Sequence, residues 1–180
     1  NETSTGIYRG FTLNELPTSD GTLNYFNGSI YSGGFKKGEL DGWGVFLFKN
    51  KDVLVGNFQF GEFKQGLEYS FNKGEFEKLN ITRPFGFLRL KNGNEFRGHL
   101  SSTKPDGFGV MEYKNGEKYI GMWSNNELSG YGIFFKENHI MMGKWEKNSK
   151  YRIEEYDYNG NINKIWVKNK RLLNLPSIPK

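Results

Sequence analysis

Cysteine is absent from the 180 residues, and so is alanine. The first absence excludes a disulfide framework, a thiolate metal site and a cysteine nucleophile, and it fits a reducing compartment. The second removes the strongest helix former from a chain in which 17% of residues are aromatic and 24 are glycine. Aromatic side chains suit a pleated surface, so the composition points to an all-β, glycine-rich protein. Histidine is nearly missing: His99 and His139 alone cannot supply a three-histidine metal site. Both fall near predicted strand ends and read as surface residues. Long apolar runs are missing too. The longest stretch without a polar residue, Gly42 to Phe48 (GWGVFLF), is far short of the ~20 residues that span a bilayer.

Charge of one sign is lacking except at the end of the chain. Of 25 Lys and Arg, five (Lys164, Lys168, Lys170, Arg171 and Lys180) follow residue 161 with no acid among them. The 20 that remain match the 20 Asp and Glu, so attraction to acidic partners is local to the tail. The start, NETSTG, shows neither a secretory leader nor an initiating Met, and the chain reads as a fragment or a processed form.

What is present is a repeat. Tyr8, Tyr31 and Leu54 are 23 residues apart, as are Phe96 and Tyr119, with Met141 following after 22. Each is followed two residues later by glycine: Gly10, Gly33, Gly56, Gly98, Gly121 and Gly143. Gly42-Trp43-Gly44, Gly107-Phe108-Gly109 and Gly130-Tyr131-Gly132 each begin 11 residues after their opener. Opener, glycine and aromatic at i, i+2 and i+4 share one face of a strand. A glycine-containing turn brings the chain back antiparallel, and Lys-Asn-Gly turns such as Lys114-Asn115-Gly116 lead into the next unit. The units start near Tyr8, Tyr31, Leu54, Phe76, Phe96, Tyr119 and Met141. Between Phe76 and Glu95 one unit is shortened, with Pro84-Phe85-Gly86 where Gly-x-Gly stands elsewhere; it marks a bend or a docking point.

This pattern resembles the MORN repeat, whose family form is roughly Y-x-G-x-F/W-x-x-G-x-x-x-G-x-G. The resemblance covers residues 8 to about 161 and is closest in the units at Tyr31, Phe96 and Tyr119. It implies an elongated, twisted, single-layer antiparallel sheet of about seven stacked hairpins over residues 1–161. Rings of one unit are expected over glycines of the next. Residues 162–180 are expected as a cap, with Ile165-Trp166-Val167 as its strand, and a basic tail that Pro176 and Pro179 keep extended.

No catalytic constellation is legible. Glu154 and Glu155 are adjacent and would point to opposite faces of a strand, and no phosphate-cradling glycine loop carries a lysine. No cofactor is expected. Phe35, Phe58, Trp123 and Trp145 hold equivalent positions and should form an aromatic ladder along one face. Most of it reads as shared core. Part of it is expected to line a concave groove that takes a protein partner, such as an amphipathic helix. The family resemblance implies a cytoplasmic, non-catalytic scaffold in cytoskeletal, ciliary or membrane-junction assemblies, binding another protein or a second copy. One alternative is an anionic membrane surface bound by Lys164, Lys168, Lys170 and Arg171, each contributing ~1 kcal/mol. Another is the accessory part of a larger enzyme whose catalytic domain lies outside this chain. Aromatic and basic residues are not interleaved on one patch, which argues against nucleic acid.

Overall fold

The computed structural model describes residues 5–168 and 170–172, Arg171 and Leu172 by backbone alone. They form sixteen strands. The first three hairpins are β1 (Gly6–Leu13) with β2 (Leu16–Tyr25), β3 (Ile30–Lys36) with β4 (Glu39–Leu47), and β5 (Val53–Gln59) with β6 (Glu62–Ser70). Two short strands follow, β7 (Glu75–Leu79) and β8 (Gly86–Arg89). Three more hairpins are β9 (Glu95–Ser101) with β10 (Lys104–Glu112), β11 (Lys118–Ser124) with β12 (Glu127–Phe135), and β13 (Ile140–Glu146) with β14 (Ser149–Tyr156). β15 (Ile162–Val167) and β16 (Lys170–Leu172) come last.

Turn chemistry produces the hairpins. Their tips carry paired positive-φ residues, such as Lys37-Gly38, Phe60-Gly61 and Asn125-Asn126, the geometry that matches strand twist in a two-residue turn. At the turns between units, the side-chain oxygens of Asn27, Asn50, Asn92 and Asn115 each accept the N–H two residues on, at 2.9–3.1 Å. Successive units are also tied tip to tip: Gly38 N–H donates to the Pro17 carbonyl and Gly61 N–H to that of Leu40.

The repeat's glycines stand opposite one another across neighbouring strands. Gly10, Gly21, Gly33, Gly44, Gly56 and Gly66 form one continuous row. Gly86, Gly98, Gly109, Gly121, Gly132 and Gly143 form another. The rings of Tyr8, Tyr31, Phe96 and Tyr119 lie on glycines of their own unit, not of the next as the sequence suggested. Tyr31 covers Gly33 and Gly44, and Tyr119 covers Gly121 and Gly132. The register slips beside the first glycine of each pair, between Gly33 and Phe35 and between Gly121 and Trp123. The ring's hydroxyl reaches the backbone there: Tyr31 donates to the Gly34 carbonyl at 3.1 Å and Tyr119 to that of Met122 at 3.3 Å. The opener tyrosine thus fills the trough over the glycines and satisfies a carbonyl beside the bulge.

The hairpins stack as the repeat predicts, but in two sheets. β1 to β7 form a seven-stranded sheet and β8 to β16 a nine-stranded one. The break falls inside the shortened unit. β7 pairs only with β6 and β8 only with β9, so this unit's two strands belong to different sheets. The connection, residues 80–85, bends at Arg83 and contains Pro84, which has no N–H for a ladder. Phe85 packs between Phe76 (5.0 Å between centroids) and His99 (4.6 Å).

Folding back at this seam lays β3 over β13, β4 over β12, β5 over β11 and β6 over β10. Val45, Val55 and Leu67 of the first sheet share one core with Val110, Ile120, Ile133 and Met142 of the second. The expectation of a single elongated layer is corrected here. The inner-facing positions are apolar across most of both sheets, and in a single layer they would face water. At the far end from the seam the interface becomes polar. Arg9 reaches Glu154 at 2.7 Å, and Lys144 reaches Asp20 at 3.2 Å. Ile165, Trp166 and Val167, expected as a capping strand, lie in β15, which pairs with β14 and is followed by β16. Pro176 and Pro179 lie outside the described residues.

Candidate functional site

Each sheet has an inner face in the shared core and an outer face carrying a ring ladder. On the first sheet Phe35 meets Tyr8 and Tyr31 edge-to-face at 5.0 and 5.2 Å, and Phe58 meets Tyr31 at 5.0 Å. On the second, Trp123 meets Phe96 and Tyr119 at 5.4 and 5.2 Å, and Trp145 meets Tyr119 at 6.0 Å. The four ladder residues singled out from the sequence are therefore brought together in pairs. Because the chain folds back, they form two ladders on opposite outer faces. None of the four is more than 6% exposed. Rings stacked edge-to-face over a glycine trough bury one another, each pair adding roughly 0.5–1.5 kcal/mol beyond its area. Burial also pushes the Tyr31 and Tyr119 hydroxyls well above their ordinary range, so they stay protonated donors. The buried indole N–H groups of Trp123 and Trp145 have no hydrogen-bond acceptor among the described residues.

The acidic pair divides as strand geometry requires. Glu154 faces the other sheet and Arg9, while Glu155 faces outward and accepts from Lys164 at 3.0 Å. Against the cost of burial, Lys164 and His139 hold the Glu155 carboxyl below its usual range. Lys164, one of the four tail cations, is thus committed to an ion pair. Lys168 and Lys170 are exposed, and the Arg171 side chain lies outside the described residues. Among the described residues no three His, Asp or Glu side chains gather where they could hold a metal ion. No helix among them is long and apolar enough to cross a membrane.

His99 was expected on the surface and is 5% exposed. The seam folds over it and places Phe85 edge-on to its ring at 4.6 Å. Its Nδ1 accepts the Phe108 N–H at 3.1 Å, which puts the proton on Nε2. Burial first, then the charges of Arg83 and Lys78, lower its pKa, with the Arg83 backbone carbonyl and then Asp106 opposing them. A lowered folded pKa means that the unfolded chain takes up the proton first. Stability should therefore fall as pH drops below ~6.5, the value of a free imidazole. Urea midpoints measured from neutral pH to just above carboxylate titration should show this slope in the native chain. His99→Gln should flatten it, and equal slopes in both would contradict this reading.

Several exposed apolar side chains lie where the sequence did not mark them, at turns and tips. At one end of the sandwich the two sheets part along the side that carries the inter-unit turns, leaving a cleft of about 530 Å³. Ile30, Leu47, Ile140 and Tyr156 make its buried floor. Phe26, Phe48 and Tyr158 stand exposed at its rim, Phe26 by 62%. Lys49 and Lys51 are also at the rim, with Lys51 over the Tyr158 ring at 4.7 Å. Asp157 turns its oxygens to the Asn159 and Asn161 N–H groups and the Asn161 amide, closing its own turn. On the opposite long side Phe60 tops the β5–β6 hairpin, 76% exposed and at φ 52°. The available signal was that Phe26 and Phe60 are aromatics standing outside the repeat's grammar.

Comparison with known proteins agrees with this geometry. The MORN repeat family model matches residues 31–53, 96–118 and 119–139, which cover the second, fifth and sixth units. The chain is similar to Alsin of Rattus norvegicus, 32% identical over 110 residues, 56% of this chain. The match spans only 6% of that relative's length. With ring-over-glycine hairpins in each of them, the three matched units are MORN repeats.

Proposed function

We propose that the chain is a non-catalytic interaction module that binds protein partners through apolar side chains at its turns and tips. MORN repeats are interaction and membrane-associated modules without catalytic chemistry of their own. One observation supports the reading most. Most apolar side chains of both sheets pack in the shared core or in a ring ladder, while Phe26, Phe48, Tyr158 and Phe60 at the turns and tips remain in water, as do Phe11, Trp43 and Phe87 on the strands. Clustered exposed aromatics rimmed by charge are the composition of protein contact surfaces. The ladder residues Phe35, Phe58, Trp123 and Trp145 then serve as a rigid support. A cytoplasmic scaffold in a larger assembly remains the setting this reading favours.

The test is affinity capture from a lysate with the native chain beside Phe26→Ser/Phe48→Ser and Phe60→Asn. The reading expects specific proteins to be retained by the native chain and lost by at least one variant that stays folded. Retention no different from blank resin, or unchanged in every variant, would count against it.

A further inference from the structure

Phe60 breaks two local rules at once. A bulky aromatic at positive φ is an outlier, and the equivalent tip positions hold Lys37, Ser102, Asn125 and Lys147. It also stands 76% exposed, and nothing lies within 4 Å of where a Cβ on the adjacent Gly61 would be. A side chain that costs the fold at its own position, without a visible return within the chain, points to a contact outside it. The inter-sheet cleft has the complementary form. A benzene ring is held by a cavity of roughly 150 Å³, so 530 Å³ admits a phenyl ring together with the backbone that carries it.

We propose that the Phe60 hairpin tip of one copy docks in the inter-sheet cleft of a second copy, so that the chain self-associates head to tail. This rests on the reading of the chain as an interaction module and names a partner for it. Knob and hole lie on opposite long sides of the sandwich, because all tips project from one side and all inter-unit turns from the other. They are also offset along it, with Phe60 in the third unit and the cleft over the first two. Such a contact is heterologous and leaves a free knob and a free hole after every addition, so it builds rings or open filaments. Charge fits the same pairing. Glu62, two residues after Phe60, has a side chain 72% exposed and held only by neighbouring Lys64, a surface pair of little strength. Lys49 and Lys51 at the cleft rim make no ion pair among the described residues. The incoming Glu62 meets them as Phe60 enters.

Sedimentation velocity on the purified chain over a wide concentration range tests this. The native chain should grow in mass with concentration. Phe60→Asn, which suits positive φ and keeps the fold, should weaken association by about tenfold or more, as loss of a central aromatic anchor does. Lys49→Glu/Lys51→Glu should do the same from the other side. Each variant keeps one competent surface, so an equimolar mixture should form a one-to-one pair and stop there. A native chain monomeric at every concentration overturns the proposal, as does association indifferent to Phe60→Asn, or a mixture that polymerises. If the native chain is monomeric but capture still retains a partner, the self-docking proposal falls and the interaction-module reading stands.

Discussion

Gly33→Ala should cost about 3 kcal/mol or more of folding stability, well beyond an ordinary Gly→Ala change. A Cβ at this position would sit 2.3 Å from the Tyr31 hydroxyl oxygen and 2.6 Å from the Cα of Gly44 on the next strand. Neither can yield cheaply. The Tyr31 ring is fully buried and pinned edge-to-face by Phe35 and Phe58, and Gly44 is backbone in a paired strand. Overpacking a tight site costs roughly 1–3 kcal/mol, and displacing the ring also removes the hydroxyl from the Gly34 carbonyl, for about another 1 kcal/mol. Gly116→Ala is the control. It has φ +84 and open space around it, so its cost should be only the ~1 kcal/mol of a left-handed non-glycine residue. Urea denaturation of both variants decides the matter. If Gly33→Ala is no more harmful than Gly116→Ala, the ring does not lie in the glycine trough as described.

Removing the Arg9 side chain should be as damaging, for an electrostatic reason. Glu154 is buried, and Arg9 meets it through Nη2 at 2.7 Å and through Nε at 3.2 and 3.3 Å to its two oxygens. Asn24 and Tyr156 complete the network. Arg9→Met leaves a buried carboxylate without its cation, a loss of about 3–5 kcal/mol. Replacing both ends, Arg9→Met with Glu154→Leu, should recover most of that, because two apolar groups restore packing without an orphaned charge. A double-mutant cycle should therefore show coupling of about 2 kcal/mol or more. The partners stand 145 residues apart on different sheets. A cost for Arg9→Met below ~1 kcal/mol, typical of an exposed pair, would mean that the two ends of the array do not meet.

The parts of the fold that could be read directly are those written in invariant spacing. The 23-residue phase of Tyr8, Tyr31, Phe96 and Tyr119 demands hairpins in register, and Gly at i+2 demands a ring over the backbone. The second face is written more loosely. Val45, Val55, Val110, Ile120, Ile133 and Met142 all face inward, but the repeat asks only for an apolar residue there, so no letter recurs to draw the eye. Their parity was the overlooked signal, since β-branched residues on the face opposite the ladder need a second layer. The ends held a second clue. Arg9 and Thr22 near the start, and Lys144, Arg152 and Glu154 near the end, are polar where the middle units are apolar. They become intelligible once the two ends face each other.

The interaction surfaces were harder to foresee, because the ladder positions and the exposed aromatics differ in environment, not in type. Phe58 and Phe60 are two residues apart; one lies under Tyr31 and the other crowns a turn. Only the register of the β5–β6 hairpin separates them. His99 was misplaced for a related reason: its exposure depends on residues 80–85, where the repeat is broken and its phase no longer predicts the path.

Small-angle scattering on the monomeric protein tests the two-sheet arrangement most directly. Two sheets folded face to face form a compact body, for which a 180-residue chain should give a radius of gyration of about 16 Å. Sixteen strands in a single ribbon, spaced about 4.8 Å apart, would extend for roughly 75 Å and give a value of roughly 23 Å. The compact value is predicted. A result near the ribbon value, at a concentration where the protein is monomeric, would contradict it.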